Sequence, residues 1–377
     1  MVINFGFFHV HVIFITFLLS PSSTPFLASA SSVQGQSDSA AQKFHSLKFK
    51  EDLSIIQEGW FPLQQYVDHE KNIYVLSFHS RKEQTLIKFD PQGKEISRRQ
   101  IVEGQGPGEF QGFDPVFTYD GRVFVADWSQ RRLTIMDKSF KIEKITKLDL
   151  NGDRFTMDSR SNMYFLAYKP ARMRSQNKIV LTKCDPDGKI LKEYAEYEWG
   201  PREKGDGTYE DDLFRTQMKF AIDSKDNLYF SLSSKYEIQV IGPDGLPKKK
   251  IVRDVKPRKV TQEDLDKRLP AKPSRVQFKY VIPERVPFIA DIFPLQNGYL
   301  LVITFEKVDD IAFLAGDLID NDGNFVAEVK IPRYHNWDFL LAPLRTSALC
   351  FSDDFYTIES DADEEKFWVK RYKIVWE

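Results

Sequence analysis

The stretch Phe89–Asp137 decides how this chain is organised. It reads FDPQGKEI from Phe89, SRRQIVEGQGPGEFQGFDPVFTYDG from Ser97 and RVFVADWSQRRLTIMD from Arg122. In it a strand pair ends in an Asp-Pro-x-Gly turn, a glycine-rich connector follows, and a second strand pair begins. One structural unit ends here and a copy of it starts, which indicates a repeat protein.

The same unit occurs six times, at intervals of about 40 to 70 residues. Each copy contains an aromatic-rich strand that follows a turn: Asn72-Ile-Tyr-Val-Leu, Arg122-Val-Phe-Val-Ala, Asn162-Met-Tyr-Phe-Leu, Asn227-Leu-Tyr-Phe-Ser, Gly298-Tyr-Leu-Leu-Val and Asp354-Phe-Tyr-Thr-Ile. After the first five copies come a variable loop, a second strand and a turn such as Asp90-Pro-Gln-Gly, in which proline presets φ and glycine accepts a positive φ. Four antiparallel strands per unit and six units predict an all-β fold, a six-bladed β-propeller.

A single blade cannot bury both of its faces, so the six blades must stack around an axis. The last copy ends in predicted strands at Phe367–Tyr372 and Ile374–Trp376, and Ser46–Ile55 is the expected strand that joins it and closes the ring. No linker rich in Pro, Ser or Gly divides the chain. We therefore expect one propeller domain over residues 43–377.

The segment Gly104-Gln-Gly-Pro-Gly-Glu-Phe110, with Pro115, Asp120-Gly121 and Val125–Asp137 after it, resembles exported bacterial six-bladed propellers of the NHL-repeat-like or TolB-like type. In the NHL repeat, Asp127, Gln130 and Arg132 would match positions usually filled by Asp, Asn and Arg. The resemblance implies the fold. It leaves the activity open, because NHL-like propellers range from protein-binding modules to lyases.

The composition restricts the partners and the N-terminus suggests export. Lys plus Arg number 53 and Asp plus Glu 55, which argues against nucleic acid or a polybasic membrane contact. Residues 1–30 carry no charge, contain the apolar run Val12–Leu19 and end in Ala28-Ser29-Ala30, which predicts an export signal, with residues 31–42 as a flexible leader. The alternative is an uncleaved membrane anchor, although the run is shorter than the ~20 residues that span a bilayer. We expect a periplasmic or extracellular monomer without stable membrane insertion after cleavage.

Residue patterns for catalysis or metal binding are weak. His45, His69, His79 and His335 are scattered, and Cys184 and Cys350 fall in the third and sixth units, so we expect two unpaired thiols. The glycines of Gly104–Gly112 are interpreted as a structural connector, because a phosphate-binding loop would continue into Lys-Ser/Thr and a helix. No catalytic or metal-binding residue is assigned and no cofactor is expected. A Ca²⁺ ion in the channel stays open, because channel ligands in propellers come singly from separate blades.

Long connections supply the candidate site. Tyr168–Lys178, Trp199–Gln217, Val255–Phe293 and Pro332–Leu349 all belong to the two classes of loop that open on one face of a propeller, and a short helix is predicted at Thr261–Arg268. An aromatic ring beside a guanidinium suits anionic or glycan ligands. The predicted contacts are Trp128, Arg131, Tyr168, Arg172 and Arg174. Charge counts further suggest a face that is basic in blades 1 to 3 and acidic in blades 5 and 6, the alternative being ordinary solvated loops.

The resulting hypothesis is an exported binding or scaffold module that recognises a protein, a peptide or an anionic or glycan ligand on its insertion-rich face. The alternative is a Ca²⁺-dependent hydrolase or lyase with its site in the central channel.

Overall fold

The computed structural model describes residues 46–57, 61–80, 83–111, 116–119, 121–169, 177–205, 208–268, 278–310, 312–334, 348–361 and 366–377. All of them belong to the unit Phe44–Glu377. Strands and tight turns dominate, and the one helix among these residues, α1 (Gln262–Arg268), is short. The predicted export signal and leader lie outside the described residues.

Six sheets in the described part of the chain share one plan, in which consecutive strands pair antiparallel. Sheets 1 to 3 contain β2 (Phe61–Val67), β3 (Ile73–Ser80), β4 (Glu83–Phe89) and β5 (Glu95–Glu103); β7 (Val116–Tyr119), β8 (Arg122–Asp127), β9 (Arg132–Met136) and β10 (Ile142–Lys147); and β11 (Gly152–Met157), β12 (Met163–Lys169), β13 (Asn177–Cys184) and β14 (Ile190–Trp199). Sheets 4 to 6 contain β17 (Met218–Ile222), β18 (Leu228–Leu232), β19 (Glu237–Ile241) and β20 (Pro247–Val252); β22 (Ile289–Pro294), β23 (Leu300–Thr304), β24 (Phe313–Ile319) and β25 (Phe325–Pro332); and β26 (Ala348–Phe351), β27 (Asp354–Ser360) and β28 (Phe367–Trp376). The fold is all-β with repeated four-stranded sheets, as in propellers.

The fourth strand of sheet 6 comes from the other end of the described chain. Strand β1 (Leu47–Gln57) pairs antiparallel with β28, from Leu47 opposite Trp376 to Gln57 opposite Phe367. This is the pairing predicted for Ser46–Ile55. The division of the last segment into two strands was wrong: the ladder runs on through Lys373, opposite Lys50, and a bulge between Glu51 and Leu53 absorbs the irregularity on the other strand.

In three of the six sheets, the turn before the aromatic-rich strand is built by an Asp-Asn-Tyr set. In sheet 1 the Asp68 carboxylate accepts hydrogen bonds from the Asn72 backbone N–H (2.9 Å), the Asn72 side chain (2.9 Å) and the Tyr74 hydroxyl (3.0 Å). Sheets 3 and 4 repeat these bonds with two further sets: Asp158, Asn162 and Tyr164, and Asp223, Asn227 and Tyr229. The recurring sequence motif is therefore a turn whose polar groups are satisfied by its own side chains.

Neighbouring sheets pack face to face. Between sheets 1 and 2, Tyr74 and Leu86 pack with Val123, Val125 and Met136, and all five are fully buried. The first strands also contact each other in order: β2 with β7, β7 with β11, β11 with β17, β17 with β22, β22 with β26, and β26 with β2. Because each fully buried aromatic or branched side chain stabilises the fold by roughly 2 to 3 kcal/mol, this packing is the main stabilising term.

At five of the six contacts between neighbouring sheets, a cation of one sheet binds a turn of the next. The donors lie on β5, β10, β14, β20 and β28, and the acceptors lie in or beside the tight turn between the third and fourth strands of the following sheet. The pairs are Arg99 with the Phe140 carbonyl, Lys144 with the Asp187 carboxylate (2.7 Å), Lys192 with the Gly245 carbonyl (2.7 Å), Lys249 with the Asn321 carbonyl, and Arg371 with the Pro91 carbonyl (2.8 Å).

Three further predictions concern single elements. Helix α1 follows Thr261 as predicted: the Thr261 hydroxyl accepts from the Asp264 N–H (3.4 Å) and the Asp264 carboxylate accepts from the Thr261 N–H (2.8 Å), which is a capping box. Cys184 and Cys350 are both free thiols, and burial raises the pKa of Cys184 to about 12. No helix within the described residues is long and apolar enough to cross a bilayer.

An ion-pair cluster joins the first and last sheets. The fully buried Asp354 carboxylate accepts hydrogen bonds from Lys373 (2.5 Å) and from Lys71 of sheet 1 (2.9 Å). Burial opposes its ionisation, but the hydrogen bonds and charges of Lys373 and Lys71 hold the pKa of Asp354 below its usual range. A depressed carboxyl pKa stabilises the fold above the unfolded pKa of about 4, and this contribution is lost as pH falls through the folded pKa.

We predict that Asp354→Asn lowers the free energy of unfolding at neutral pH by about 1 to 3 kcal/mol and flattens its decline below about pH 4. Urea unfolding at several pH values measures both effects. Asp353→Asn is the matched control, because Asp353 is exposed and adjacent. Equal losses in the two variants, or an unchanged pH profile in Asp354→Asn, would contradict the role of this cluster.

Candidate functional site

The long connections lie at one end of the sheets. Strand register places Lys169, at the end of β12, opposite Lys178, and Trp199, at the end of β14, opposite Asn177. The second and fourth strands of a sheet therefore end on the same side. We call this end the insertion face; its described connections include residues 128–131, 200–205, 208–217, 253–268, 278–288 and 305–310.

Two of these connections form a small additional sheet. Strand β16 (Tyr209–Asp212) pairs antiparallel with β15 (Arg202–Glu203) and parallel with β21 (Phe278–Val281). Strands β15 and β16 follow sheet 3, whereas β21 follows sheet 4, so residues distant in sequence meet. Another short strand, β6 (Glu109–Phe110), pairs parallel with β5 in the connection between sheets 1 and 2.

The second connection is fixed to sheet 5 by Arg258. Its guanidinium binds the Asp264 carboxylate through two hydrogen bonds (2.5 and 2.8 Å) and donates to the Phe305 carbonyl (2.7 Å). Burial opposes ionisation of Asp264, but the bonds from Arg258 and Thr261 hold its pKa well below the usual range. This long insertion is therefore held by specific charge-assisted bonds.

A pocket of about 160 Å³ lies between the end of β14 and the small sheet. We call it the Trp199 pocket. It combines one aromatic ring, two guanidiniums and three carboxylates with small groups, and its lining residues are Glu198, Trp199, Gly200, Arg202, Glu210, Asp212, Arg215, Thr216 and Val281.

The indole of Trp199 is held by its neighbours. The Arg215 guanidinium lies 5.3 Å from the centre of the Trp199 ring, and the Tyr168 ring meets it edge to face at 5.9 Å. Arg215 is itself fixed by two hydrogen bonds to the Asp211 carboxylate, one of them 2.6 Å long, and Asp211 is buried. The aromatic surface of the pocket is thus preorganised.

Charges in the pocket are largely balanced. Lys204 binds Glu210 at 2.5 Å, and this hydrogen bond lowers the pKa of the Glu210 carboxyl. One oxygen of Asp212 accepts the Phe214 N–H at 3.0 Å. Within the described part of the chain, Glu198 and Asp212 have no cationic partner in ion-pair range. Both signs of charge therefore lie around one aromatic ring.

The five predicted contact residues are not brought together as a group. Tyr168 lies against Trp199. Trp128 is only 5% exposed and packs 5.2 Å from the Phe165 ring between sheets 2 and 3, with no partner for its indole N–H among the described residues. Arg131 is exposed in the turn after Trp128, with a φ of 52°. Arg172 and Arg174 lie outside the described residues, so these assignments stay predictions.

Sequence reasoning did not single out Trp199, Arg202 and Arg215. The sequence pattern that led to Trp128 and Arg131, an aromatic residue near arginines in a connection, could also have identified these three residues. Trp199 opens the connection Trp199–Gln217 and would have met that criterion. Asp211, which fixes Arg215, carries no comparable signal because its role depends on burial.

The residues that resemble the NHL repeat hold the glycine connector. Gln130 donates to the Gly104 carbonyl (2.8 Å), Arg132 donates to the Gly106 carbonyl (3.1 Å), and buried Asp127 accepts from the Gln111 N–H (2.9 Å). The connector's carbonyls thus receive side-chain donors from the next sheet. This agrees with its interpretation as a structural element.

Several charges counted for the proposed electrostatic split are already paired. Lys169 binds Glu193 (2.7 Å) and Lys178 binds Glu196 (2.5 Å), both of which lie on β14. Arg132, counted as a loop cation, binds connector carbonyls instead. The basic side of the face is therefore weaker in these described residues than the charge count suggests.

An ion pair crosses from sheet 3 to sheet 5. Arg154 donates to the Asp291 carboxylate (2.7 Å) and to the Phe220 carbonyl on β17 of sheet 4 (3.4 Å). Bulges lie between Asp153 and Thr156 in β11 and between Ile289 and Asp291 in β22, and Arg154 has a φ of 47°. Bulges re-aim side chains, and here they direct both partners away from their own sheets.

Tyr334 lies near this pair. Burial raises the pKa of Tyr334 well above its usual value, and the charge of Asp291 adds to the rise while Arg154 opposes it. Among the described residues, no group of three His, Cys, Asp or Glu side chains is placed to hold a metal ion.

No protein-family model matches the chain, and no curated protein matches it. Among solved structures, it is similar to a member of the DUF4221 family from Bacteroides vulgatus, with 9% identity, 89% of this chain and 100% of that chain covered, and a TM-score of 0.52. At this identity the similarity concerns the fold alone. A candidate exported protein from Bacteroides fragilis (11% identity, 90% and 98% covered, TM-score 0.45) and virginiamycin B lyase from Staphylococcus aureus (12%, 88% and 100%, 0.41) are more distant.

We predict that Arg154 and Asp291 are energetically coupled. Arg154→Met and Asp291→Asn should each lower the free energy of unfolding by about 1 to 3 kcal/mol, because each removes this charge-assisted hydrogen bond from a partly buried site. The double variant should lose about 1 kcal/mol less than the sum of the two. A urea-unfolding double-mutant cycle measures this, with Lys147→Met in the exposed Lys147–Asp149 pair as a control without effect. Additive losses would show that the contact contributes nothing.

Proposed function

We propose that this chain is an exported six-bladed β-propeller that acts as a binding module, with its ligand in the Trp199 pocket. Six sheets of one plan, the contacts of their first strands from β2 round to β26 and back, and the pairing of β1 with β28 support six blades in a closed ring. The uncharged segment of residues 1–30 supports export. In such a ring, the antiparallel pairing of β1 with β28 would hold the first and last described strands together and so keep the ring from opening.

The observation that carries the binding role is the pocket's construction. Two connections from different sheets pair at β16 and β21, and beside them Trp199 is fixed between Arg215 and Tyr168. The buried Arg215–Asp211 pair fixes the position of the Trp199 indole. The aromatic surface that is fixed in this way lines the pocket. Preformed aromatic surfaces with a few fixed polar groups are typical of ligand sites.

The contact of Arg154 with Asp291 disfavours a Ca²⁺ site built on the Asp291 carboxylate. A guanidinium 2.7 Å from that carboxylate already neutralises it, and a calcium ion would have to displace the arginine. A hard cation needs several oxygen ligands, whereas Asp291 supplies one carboxylate here.

We predict that Trp199→Ala abolishes retention of the cognate ligand without unfolding the protein. Immobilised full-length protein would be exposed to fractionated envelope polysaccharide and envelope peptide, and bound mass recorded by biolayer interferometry. Trp368→Ala is the matched control, since Trp368 is also partly exposed but lies on sheet 6. Equal retention by both variants, with unchanged melting temperatures, would refute the pocket as the binding site.

We also predict that neither EDTA nor Ca²⁺ shifts the melting temperature by more than about 1 °C. A ligand raises the melting temperature only if the folded state binds it, and the proposed binding module binds no calcium. A thermal-shift scan over calcium concentration measures this. A melting temperature that rises with Ca²⁺ and falls with EDTA would favour the channel enzyme instead.

A further inference from the structure

We infer that the Trp199 pocket recognises an uncharged polyhydroxylated ring, a neutral pyranose of a glycan. This rests on the proposed binding function and names its ligand class. The inference comes from the placement of charges of both signs around one fixed indole.

The pocket disfavours an anion. Arg215 is already neutralised by Asp211, and Glu210 is paired with Lys204. An anion would therefore meet the carboxylates of Glu198 and Asp212, which have no cation within ion-pair distance in the described part of the chain; Lys178, opposite Glu198 in the ladder, binds Glu196 instead. Their repulsion opposes the acidic ligands that the sequence left open.

The pocket also disfavours a cation. One side of the Trp199 ring already carries the Arg215 guanidinium at 5.3 Å, so an incoming ammonium or guanidinium would find this cation–π position occupied. The carboxylates of Glu198 and Asp212 would attract a cation, but the Arg202 guanidinium in the same lining opposes it, so an ion of either sign meets a like charge in the pocket.

A sugar ring satisfies both sets of groups at once. Each hydroxyl donates one hydrogen bond and accepts others, so hydroxyls can donate to Glu198 and Asp212 while accepting from a guanidinium. The C–H face of a pyranose is apolar and can cover the indole surface that Arg215 and Tyr168 leave accessible. A pocket of about 160 Å³ has room for one such ring.

The carboxylates also allow a conservative test. Asp212 uses one oxygen to accept the Phe214 N–H, and Asn retains that acceptor. Asp212→Asn therefore keeps the turn while replacing the second carboxylate oxygen by a donor. Glu198→Gln changes an exposed side chain of β14 in the same way.

The experiment is calorimetric titration of the full-length protein with cellobiose, maltose, lactose and mannobiose, with digalacturonic acid as the anionic probe and trilysine as the cationic probe. At least one neutral disaccharide should bind, with affinity changing less than about twofold between roughly 50 and 500 mM NaCl. Trp199→Ala should weaken it at least tenfold, and Asp212→Asn or Glu198→Gln about three- to tenfold. Trp368→Ala should bind like the wild type.

The outcomes separate the two levels of the proposal. Tighter binding of digalacturonic acid or trilysine that depends on Trp199 and falls with salt would overturn the neutral-sugar inference and keep the binding role. If Trp199→Ala keeps the wild-type melting temperature and binds every tested ligand as tightly as the wild type does, both the neutral-sugar inference and the binding role of the pocket are overturned.

Discussion

Apolar packing between neighbouring sheets is the constraint on which this structure depends. A four-stranded sheet with aromatic residues on both faces cannot exist alone in water, so Tyr74, Tyr164 and Tyr356 are fully buried only because other sheets cover them. Each sheet is therefore a partner of two others. Local turns shape the sheets, but their mutual burial fixes where they lie.

Directional bonds add what apolar packing lacks. The links from Arg99, Lys144, Lys192, Lys249 and Arg371 to the next sheet specify one relative position for each pair of sheets that they join. Several of these donors are partly exposed, so each link contributes little to stability. The same kind of link nevertheless recurs at five of the six interfaces, with the contact between sheets 5 and 6 as the exception.

A scaffold fixed in this way leaves one end free for other uses. The tight turns at one end are closed by their own Asp, Asn and Gly residues, whereas connections at the insertion face are not needed to hold the sheets. Strands β16 and β21 can thus pair outside the repeated plan and build the Trp199 pocket. Inside the molecule, the bulges at Arg154 and Asp291 serve a comparable purpose, since both depart from the regular ladder to bring two charges together.

The sequence alone determined the strands, the turns and their repetition, because period-two apolar patterns and Asp-Pro-x-Gly turns act over a few residues. It also placed the elaborated connections on one face and predicted that Ser46–Ile55 pairs with the last strand of the chain's final sheet. Tertiary structure decided the site: Trp199 and Val281 line the same pocket although they lie 82 positions apart in the sequence. Arg154 and Asp291 meet across 137 residues, and Trp128 is buried where sequence suggested an exposed contact. Such contacts depend on which surfaces the packed sheets cover, and no local pattern encodes that.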